Sequence, residues 1–483
     1  MRNVAVILLI LFLSGMIWAQ PGDLRPRAAG EMRIALPDTN RQLNLYQFAG
    51  NSAWLQMNNR GNWLRIDFGN QTARGNLRRY WDAFGVFDNA VSFSGQKHVS
   101  PTQTFFGQIR YNLDYKERVN RAIEMEPYDL DPFVLSDSTE GDFLYAGPQV
   151  FVAYSHHLWP RLWWGVSLDY RIYRGLKKNY SMPELIRRAI ESDFSLAFQW
   201  SENIVLGFSF RPYDVNDIIN IVQQPDGVNP VVLRYRGEFT FRAVTSKDDR
   251  TANSRGYRVA PQVMFRNSRL KGVLTAGYYY RWHEVYDNNI LHHYDGYYQG
   301  EQYFLRTAWR YSFSQQKRNT VALGYGFNYL TDWAQEPVKR LMFYKSFRHR
   351  HRFTVGFSRA FSRWPLVGAT ELNYDYLLPD KRDYLAHRFR RQAITDLSFR
   401  AGFSWQKNAN LQWQSGLIVN VYREGKAWNY FGDYNAVFCT TGFSYAFDRY
   451  LIEFYSKFGH RFGSNGTRQK DMIELSFRIN QFL

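Results

Sequence analysis

The chain has 483 residues and a formal charge of +18, from 61 Lys and Arg against 43 Asp and Glu. Aromatic residues are 18% of it, as 34 Tyr, 38 Phe and 15 Trp, while charged residues are 22% and the mean hydropathy is only −0.47. So many aromatics beside so much polarity argue against soluble globular domains and for strands with one face on lipid and the other on a wet lumen. No stretch after residue 20 approaches the roughly 18 apolar residues of a helical span, which excludes a helical membrane protein.

The first 19 residues read as a secretory signal peptide: Arg2, an uncharged apolar run over 4–13, then Ile17-Trp18-Ala19 with a small residue at the cleavage position. The chain is expected to mature at Gln20, and with no Cys after the apolar run a lipoprotein signal is not expected. Residues 20–50 hold Pro21, Pro26, Pro37 and four Arg without periodicity, which fits an N-terminal periplasmic segment or a short lumen plug. Residues 51–483 are then the barrel.

The organising signal from there on is two-residue alternation. Phe194, Leu196, Phe198 and Trp200 share one face, opposite Asp193, Ser195, Ala197 and Gln199. Leu274, Ala276, Tyr278, Tyr280 and Trp282 oppose Lys271, Thr275, Gly277, Tyr279 and Arg281. Leu397, Phe399, Phe403 and Trp405 oppose Ser398, Arg400, Gly402 and Ser404. The second face, small or charged, suits a lumen rather than the buried side of a sandwich. Aromatics near the run ends, among them Trp163-Trp164, Tyr278-Tyr279-Tyr280, Tyr329 with Trp333, and Trp428 with Tyr430, are expected in the interfacial girdles.

Connections alternate short and long. Short ones such as 201–202, 267–269, 315–316, 408–409 and 448–449 are assigned to the periplasm. Long ones, at 117–146, 175–191, 214–256, 287–300, 334–349, 379–393, 425–433 and 463–469, are assigned to the exterior. Counting back from the C-terminus predicts an all-β fold, a single transmembrane antiparallel barrel of 16 to 18 strands with long extracellular loops. The number is 18 if 61–69 joins the wall. The closing strand has Ile473, Leu475, Phe477, Ile479 and Leu483 on one face and Glu474, Ser476, Arg478 and Asn480 on the other. It ends on Phe482-Leu483, resembles the general barrel-assembly signal, and is expected to pair with the first wall strand.

Three segments carry a family resemblance: Gly50-Asn51-Ser52-Ala53-Trp54; residues 128–142, which read YDLDPFVLSDSTEGD; and Trp164-Gly165 followed by Tyr170 and Tyr173-Arg174. On these the chain resembles a poorly characterised family of outer-membrane barrels from the Bacteroidota and their relatives. The resemblance implies the fold and the cell outer membrane of a Gram-negative bacterium, and implies no substrate or site residue. Glu140 replaces the first Gly of a Gly-Gly pair expected in the second segment.

Candidate chemistry is sparse. The acidic loop Asp129, Asp131, Asp137, Glu140 and Asp142 has carboxylates suited to Ca²⁺ but no EF-hand spacing; a solvated loop folded over the mouth is the plainer account. His349 and His351 share a face but lack further ligands. His292 and His293 read as loop histidines, and Cys439 as a strand residue. No Ser, His and acid set forms a catalytic motif, so an enzyme is not expected and neither a metal nor a cofactor is assigned. Arg211, Lys271, Arg281, Arg400 and Arg478 fall on the polar face and are assigned to a basic lumen. Lys345, Arg348, Arg350 and Arg352, with Arg388, Arg390 and Arg391, are assigned to lipopolysaccharide contact. The expected function is a channel or solute-binding barrel for small anionic or sugar-like solutes. A structural or partner-binding barrel accessory to a surface or receptor complex is the alternative, and a lipid-modifying enzyme the lesser one. Expected partners are outer-membrane lipid and lipopolysaccharide, the barrel-assembly machinery and a surface or receptor protein, with no nucleic acid.

Overall fold

In the computed structural model of this chain, alternation produces a closed wall. The structure describes residues 45–57, 61–125, 132–178, 182–221, 231–237, 239–244, 249–287, 293–313, 319–361, 363–408, 410–424, 432–463 and 468–483. The expected signal peptide, His292, Trp428 and Tyr430 lie outside them.

The chain opens on a short helix α1 (Leu45–Ala49) and a 3₁₀ turn (Ser52–Leu55). The wall begins with β1 (Trp63–Gly75), β2 (Ala83–Ser100), β3 (Gln103–Ala122), β4 (Leu135–Trp159), β5 (Leu162–Lys177), β6 (Pro183–Gln199) and β7 (Ile204–Ile221). A hairpin outside the wall, β8 (Val232–Arg236) and β9 (Thr240–Val244), follows. The wall resumes with β10 (Arg250–Arg266), β11 (Leu270–Asp287), β12 (His293–Ser312), β13 (Asn319–Gln335), β14 (Met342–Ala360) and β15 (Leu366–Asp383). After the short external β16 (Arg388–Arg391) it finishes with β17 (Ile394–Gln406), β18 (Leu411–Glu424), β19 (Tyr434–Phe447), β20 (Tyr450–Gly463) and β21 (Gln469–Phe482).

Each wall strand pairs antiparallel with the next. β7 joins β10 past the β8–β9 hairpin, with Ile219 opposite Arg250, and β15 joins β17 past β16. β21 closes on β1, with Phe477 opposite Phe68, so the barrel has 18 strands. The run at 61–69 joins the wall, as its place beside the closing strand requires. Closure leaves no open edge, the condition for a sheet to span lipid.

The outward face carries the exposed apolar side chains, among them Phe194, Leu196, Phe198, Leu206, Phe208, Val355 and Phe357. The inward face of the same strands holds buried Ser195, Ala197, Ser209 and Thr354. Exposed Trp159, Trp200, Trp364 and Trp413 gather at the short-turn end, and tyrosines in tilted ring contact, such as Tyr257, Tyr278 and Tyr303, rim the other side of the belt. Trp163 departs from its expected girdle place: it faces inward, stacked on His157 at 4.6 Å, whereas Trp164 faces out beside Tyr154. Cys439 sits on the outward face, between buried Phe438 and Thr440.

The strands run longer than the alternation suggested. β4 has 25 residues, and the loops expected at 117–146 and 175–191 shrink to the stretches between Ala122 and Leu135 and between Lys177 and Pro183. Beyond the belt the outward face is polar too, as in the exposed Arg255–Asp214 pair at 2.8 Å. The hydrophobic alternation therefore fades there while the backbone ladder continues.

Candidate functional site: the lumen between plug and cap

The segment Leu45–Leu55 lies inside the barrel near the short turns. Asn51 anchors it. Its Nδ2 donates to Leu196 O at 2.9 Å, to Phe208 O at 3.2 Å and to Gln262 Oε1 at 2.9 Å, while its Oδ1 accepts from Ala53 N. Ser52 Oγ donates to Asp193 Oδ2 at 2.8 Å, Ala53 N donates to Ser195 Oγ, and Ala53 O accepts from Ser155 Oγ. Arg211 ties strand to plug: its Nε donates to Asp193 Oδ1 at 3.0 Å and its Nη2 donates to Gly50 O. Gly50 takes a φ of +69°, a left-handed conformation that favours glycine. Gly165 opposite it is required for another reason, since a Cβ there would overlap the Ser52 and Ala53 backbone.

Apolar contacts complete the docking. Leu45, Ala53 and Trp54 pack with Trp163, Ala197, Val205 and Met264. Tyr46 meets Phe106 on β3, and Phe48 packs on Ala308 and Ala322 of β12 and β13, on the far side of the barrel. The plug therefore crosses the lumen from wall to wall. Two of the three family-like segments meet here, Gly50–Trp54 against Gly165, a contact between residues far apart in sequence that periodicity could not reveal.

At the opposite mouth, residues 123–125 and 132–134, between β3 and β4, pack inside the barrel with the β8–β9 hairpin. Leu135 pairs with Arg234. Buried Ile123, Leu135, Phe143, Tyr145, Leu185, Ile219 and Val232 form one apolar cluster, and Phe133 enters another with Val285, Tyr298 and Phe343. Ions are buried with them. Lys177 and Asp137, both 0% exposed, pair at 2.6 Å. Arg250 Nε donates to Asp287 Oδ1 at 2.7 Å, its Nη2 reaches Asp295 at 3.3 Å, and its Nη1 donates to Phe133 O. Burial opposes ionisation of Asp287, but Arg250, and then Arg234, outweigh it and hold its carboxyl below the ordinary range.

The acidic loop is thus spent on the cap. Glu140 pairs with Arg78 at 2.8 Å, and Asp142 accepts from Tyr115 and from Arg118 N. Asp129 and Asp131 lie outside the described residues. Among the described residues, no three His, Cys, Asp or Glu side chains cluster as metal ligands.

Between plug and cap lies a cavity of about 420 Å³. Its wall includes Arg171, Arg187, Arg211, Arg258, Arg281 and Arg306, facing Asp169, Glu191 and Asp217. It shares Asp169, Arg171, Glu191 and Arg211 with a second space of about 410 Å³ that touches Tyr46 and Gly50 of the plug. Several of these arginines are neutralised locally, as Arg171 is by Asp169 at 2.6 Å and Arg187 by Asp217 at 3.3 Å.

The five arginines and lysines expected in the lumen all fall on the inward parity, but they do not converge. Arg211 and Arg281 line the cavity, and Arg281 also donates to Tyr298 Oη at 2.7 Å. Arg478 lines a separate space near β1, pairing with Asp67 and with Glu453 at 3.3 Å. Arg400 donates to Ser398 Oγ at 3.3 Å, and Lys271 sits exposed beside the short turn.

The basic run on β14 divides by parity. Lys345, His349 and His351 share the outward face with exposed Phe353 and Val355. Arg348, Arg350 and Arg352 share the inward face with Ser346 and Thr354, so the assignment of these three to lipopolysaccharide is corrected. Arg350 and Arg352 grip Asp375 at 2.5 and 3.0 Å inside the barrel. The signal was in the sequence: the strand alternation continues through the charged run, and only the even positions are arginine. Arg388, Arg390 and Arg391 lie on external β16. Arg258 and Arg306, which the sequence reading passed over, sit on the cavity wall.

No curated protein sequence matches the chain. The chain is similar, at low identity, to solved structures of other barrels. A mutant of the monoaromatic hydrocarbon channel TodX is 12% identical, with 95% of this chain and 98% of that chain covered and a TM-score of 0.39. The copper transporter OprC is 7% identical, with 86% and 80% covered and a TM-score of 0.46. The ferripyoverdine receptor of the outer membrane of Pseudomonas aeruginosa is 9% identical, with 86% and 71% covered and a TM-score of 0.43. The closed 18-strand barrel with an apolar belt and two aromatic rims is an outer-membrane protein. One family model runs over residues 52–457, from the plug's Ser52 into β20, and the chain belongs to that family, the family of unknown function DUF6850.

Proposed function

We propose that this chain is a plugged outer-membrane barrel that binds small anionic solutes in its lumen and passes them only when the plug shifts. The observation that carries this is the cavity between plug and cap, where arginines outnumber carboxylates. In a narrow space with low-dielectric walls, such an excess raises the local concentration of anions. Because the plug reaches both walls, the wild-type protein should conduct weakly in planar bilayers. A Gly165→Leu variant, with no room for Ser52 and Ala53 to dock, should conduct strongly and prefer anions. Cation preference in that open variant would sink the proposal.

Sugar-like solutes are the alternative cargo, and a neutral sugar that blocks the open current where anions do not would favour them. No enzymatic step is assigned. Lys345, Arg388, Arg390 and Arg391 remain the residues we assign to lipopolysaccharide phosphates, and the closing strand the one we assign to the assembly machinery.

A partner-binding role has one observation in its favour. Phe389, Leu341 and Val338 are 64%, 61% and 83% exposed at the external end. A stable surface complex that dissociates on Phe389→Ser would support it.

A further inference from the structure

We infer that Arg258, Phe304 and Arg306 form a clamp for the acid group of a flat aromatic anion, an aryl carboxylate. The inference rests on the anion-binding reading above and names the class of solute.

The clamp follows from the register. On β10, Arg258 lies opposite Tyr279 of β11, which lies opposite Gln302 of β12. Two residues on, Phe304 lies opposite Gly277, and a Cβ on Gly277 would collide with the Phe304 ring. Gly277 thus gives the ring room against the wall. Arg258 then lies 4.6 Å and Arg306 5.6 Å from the Phe304 ring centre. One ring holds two cations in place.

Among the described residues neither Arg258 nor Arg306 forms an ion pair, and Arg258 Nε is buried with no hydrogen-bond partner. Glu191, on the same cavity wall, is engaged by Arg211 at 3.6 Å. Asp375, farther round the wall, is gripped by Arg350 and Arg352. Two like charges set together on a partly dry wall are unfavourable unless an anion joins them, and a guanidinium fork matches a carboxylate bidentately.

The rest of the ligand is indicated by what surrounds the clamp. Tyr213 and Tyr279 are stacked at 5.5 Å with an 11° tilt, and with Tyr298 and Phe304 they supply flat aromatic walls to the same cavity. Its 420 Å³ lies within the range of small-molecule sites, roughly 300–1,000 Å³. Acetate would use the arginines alone, and a neutral arene the rings alone.

The test uses the purified full-length protein in detergent, its fold checked by heat-modifiable migration, with 2-naphthoate, 2-naphthalenemethanol, acetate and inorganic phosphate as probes. Naphthoate should bind best. The Arg258→Gln/Arg306→Gln double variant should bind it at least about tenfold more weakly, while still folding, because the change relieves repulsion. Arg258→Lys/Arg306→Lys should recover part of the loss, and Lys407→Gln in a short turn should change nothing. Naphthoate binding that ignores the double variant would overturn the clamp but leave a basic lumen standing. Acetate or phosphate binding as tightly as naphthoate would overturn the aromatic class alone. Naphthalenemethanol binding as tightly as naphthoate would remove any role for the charge. A folded protein that binds none of the anions would remove both the clamp and the proposed function.

Discussion

At the short-turn end, the plug rests on Asn51, Asp193 and Arg211, which hold it by hydrogen bonds to backbone carbonyls and small hydroxyls. At the other end, the cap is part of the wall's own sheet, through the pairing of Leu135 with Arg234, and shares a large apolar cluster with the strands. It is also joined to the wall by ion pairs, Arg234 of β8 with Asp287 of β11 at 3.2 Å and Arg236 of β8 with Asp295 of β12. The difference teaches which end can open. Hydrogen bonds made by a short docked segment can be exchanged for water one at a time, each for about 1 kcal/mol net. An ion pair sealed in an apolar cluster has no such route, because separating it strands charges away from water.

Four experiments test that contrast, from the largest expected effect to the smallest. Lys177→Met removes the cation 2.6 Å from buried Asp137 and should cost about 3–5 kcal/mol, read as a lower midpoint of urea unfolding. An unchanged midpoint would mean that water reaches the pair and that the cap is looser than the plug. Gly165→Val should strain or expel the plug at a cost of about 1–3 kcal/mol. The predicted readout is higher bilayer conductance and new proteolysis within 45–57, with the cap still protected in hydrogen exchange. Asn51→Ala removes the plug's central donor and strands Gln262 Oε1, for about 1–2 kcal/mol. It should raise the frequency of brief openings without changing the conductance of the open state, and a protein that stays as quiet as wild type would show that the apolar docking of Leu45 and Trp54 suffices.

The smallest effect is on pH. Because the folded-state pKa of Asp287 is depressed, its contribution is present above the unfolded value of about 3.9 and is lost as pH falls through the folded value. Hydrogen-exchange protection in the cap, taken relative to the intrinsic exchange rate at each pH, should therefore be flat from neutral pH down to about 4 and fall only below it. Loosening near pH 6 would point to another titrating group.

Much of the wall was legible in the sequence. Period-two alternation has one consequence in lipid, since a strand with Phe194, Leu196 and Phe198 on one side and Asp193, Ser195 and Ala197 on the other must face lipid with the first set. The turn parity narrowed the strand number to between 16 and 18, and the pairing of β21 with β1 decided it at 18. The lumen was only partly legible. Arg211 and Arg281 could be placed inward by counting, whereas Arg348, Arg350 and Arg352 were misplaced because a run of charges was read as one surface rather than as two faces. Arg258 drew no notice, since its importance depends on Phe304 and Arg306 two strands away.

What the sequence determined by itself is a two-faced wall, because each residue's side follows from its own position along a strand. What only the tertiary structure decided is what fills that wall. The plug has no periodicity, and Asn51 reaches Leu196, Phe208 and Gln262, partners that the chain brings together only when the barrel closes. Whether an arginine is spent on a carboxylate, as Arg350 is, or left over for a solute, as Arg258 is, depends on which strands become neighbours and in which register, a cooperative outcome that no single segment encodes.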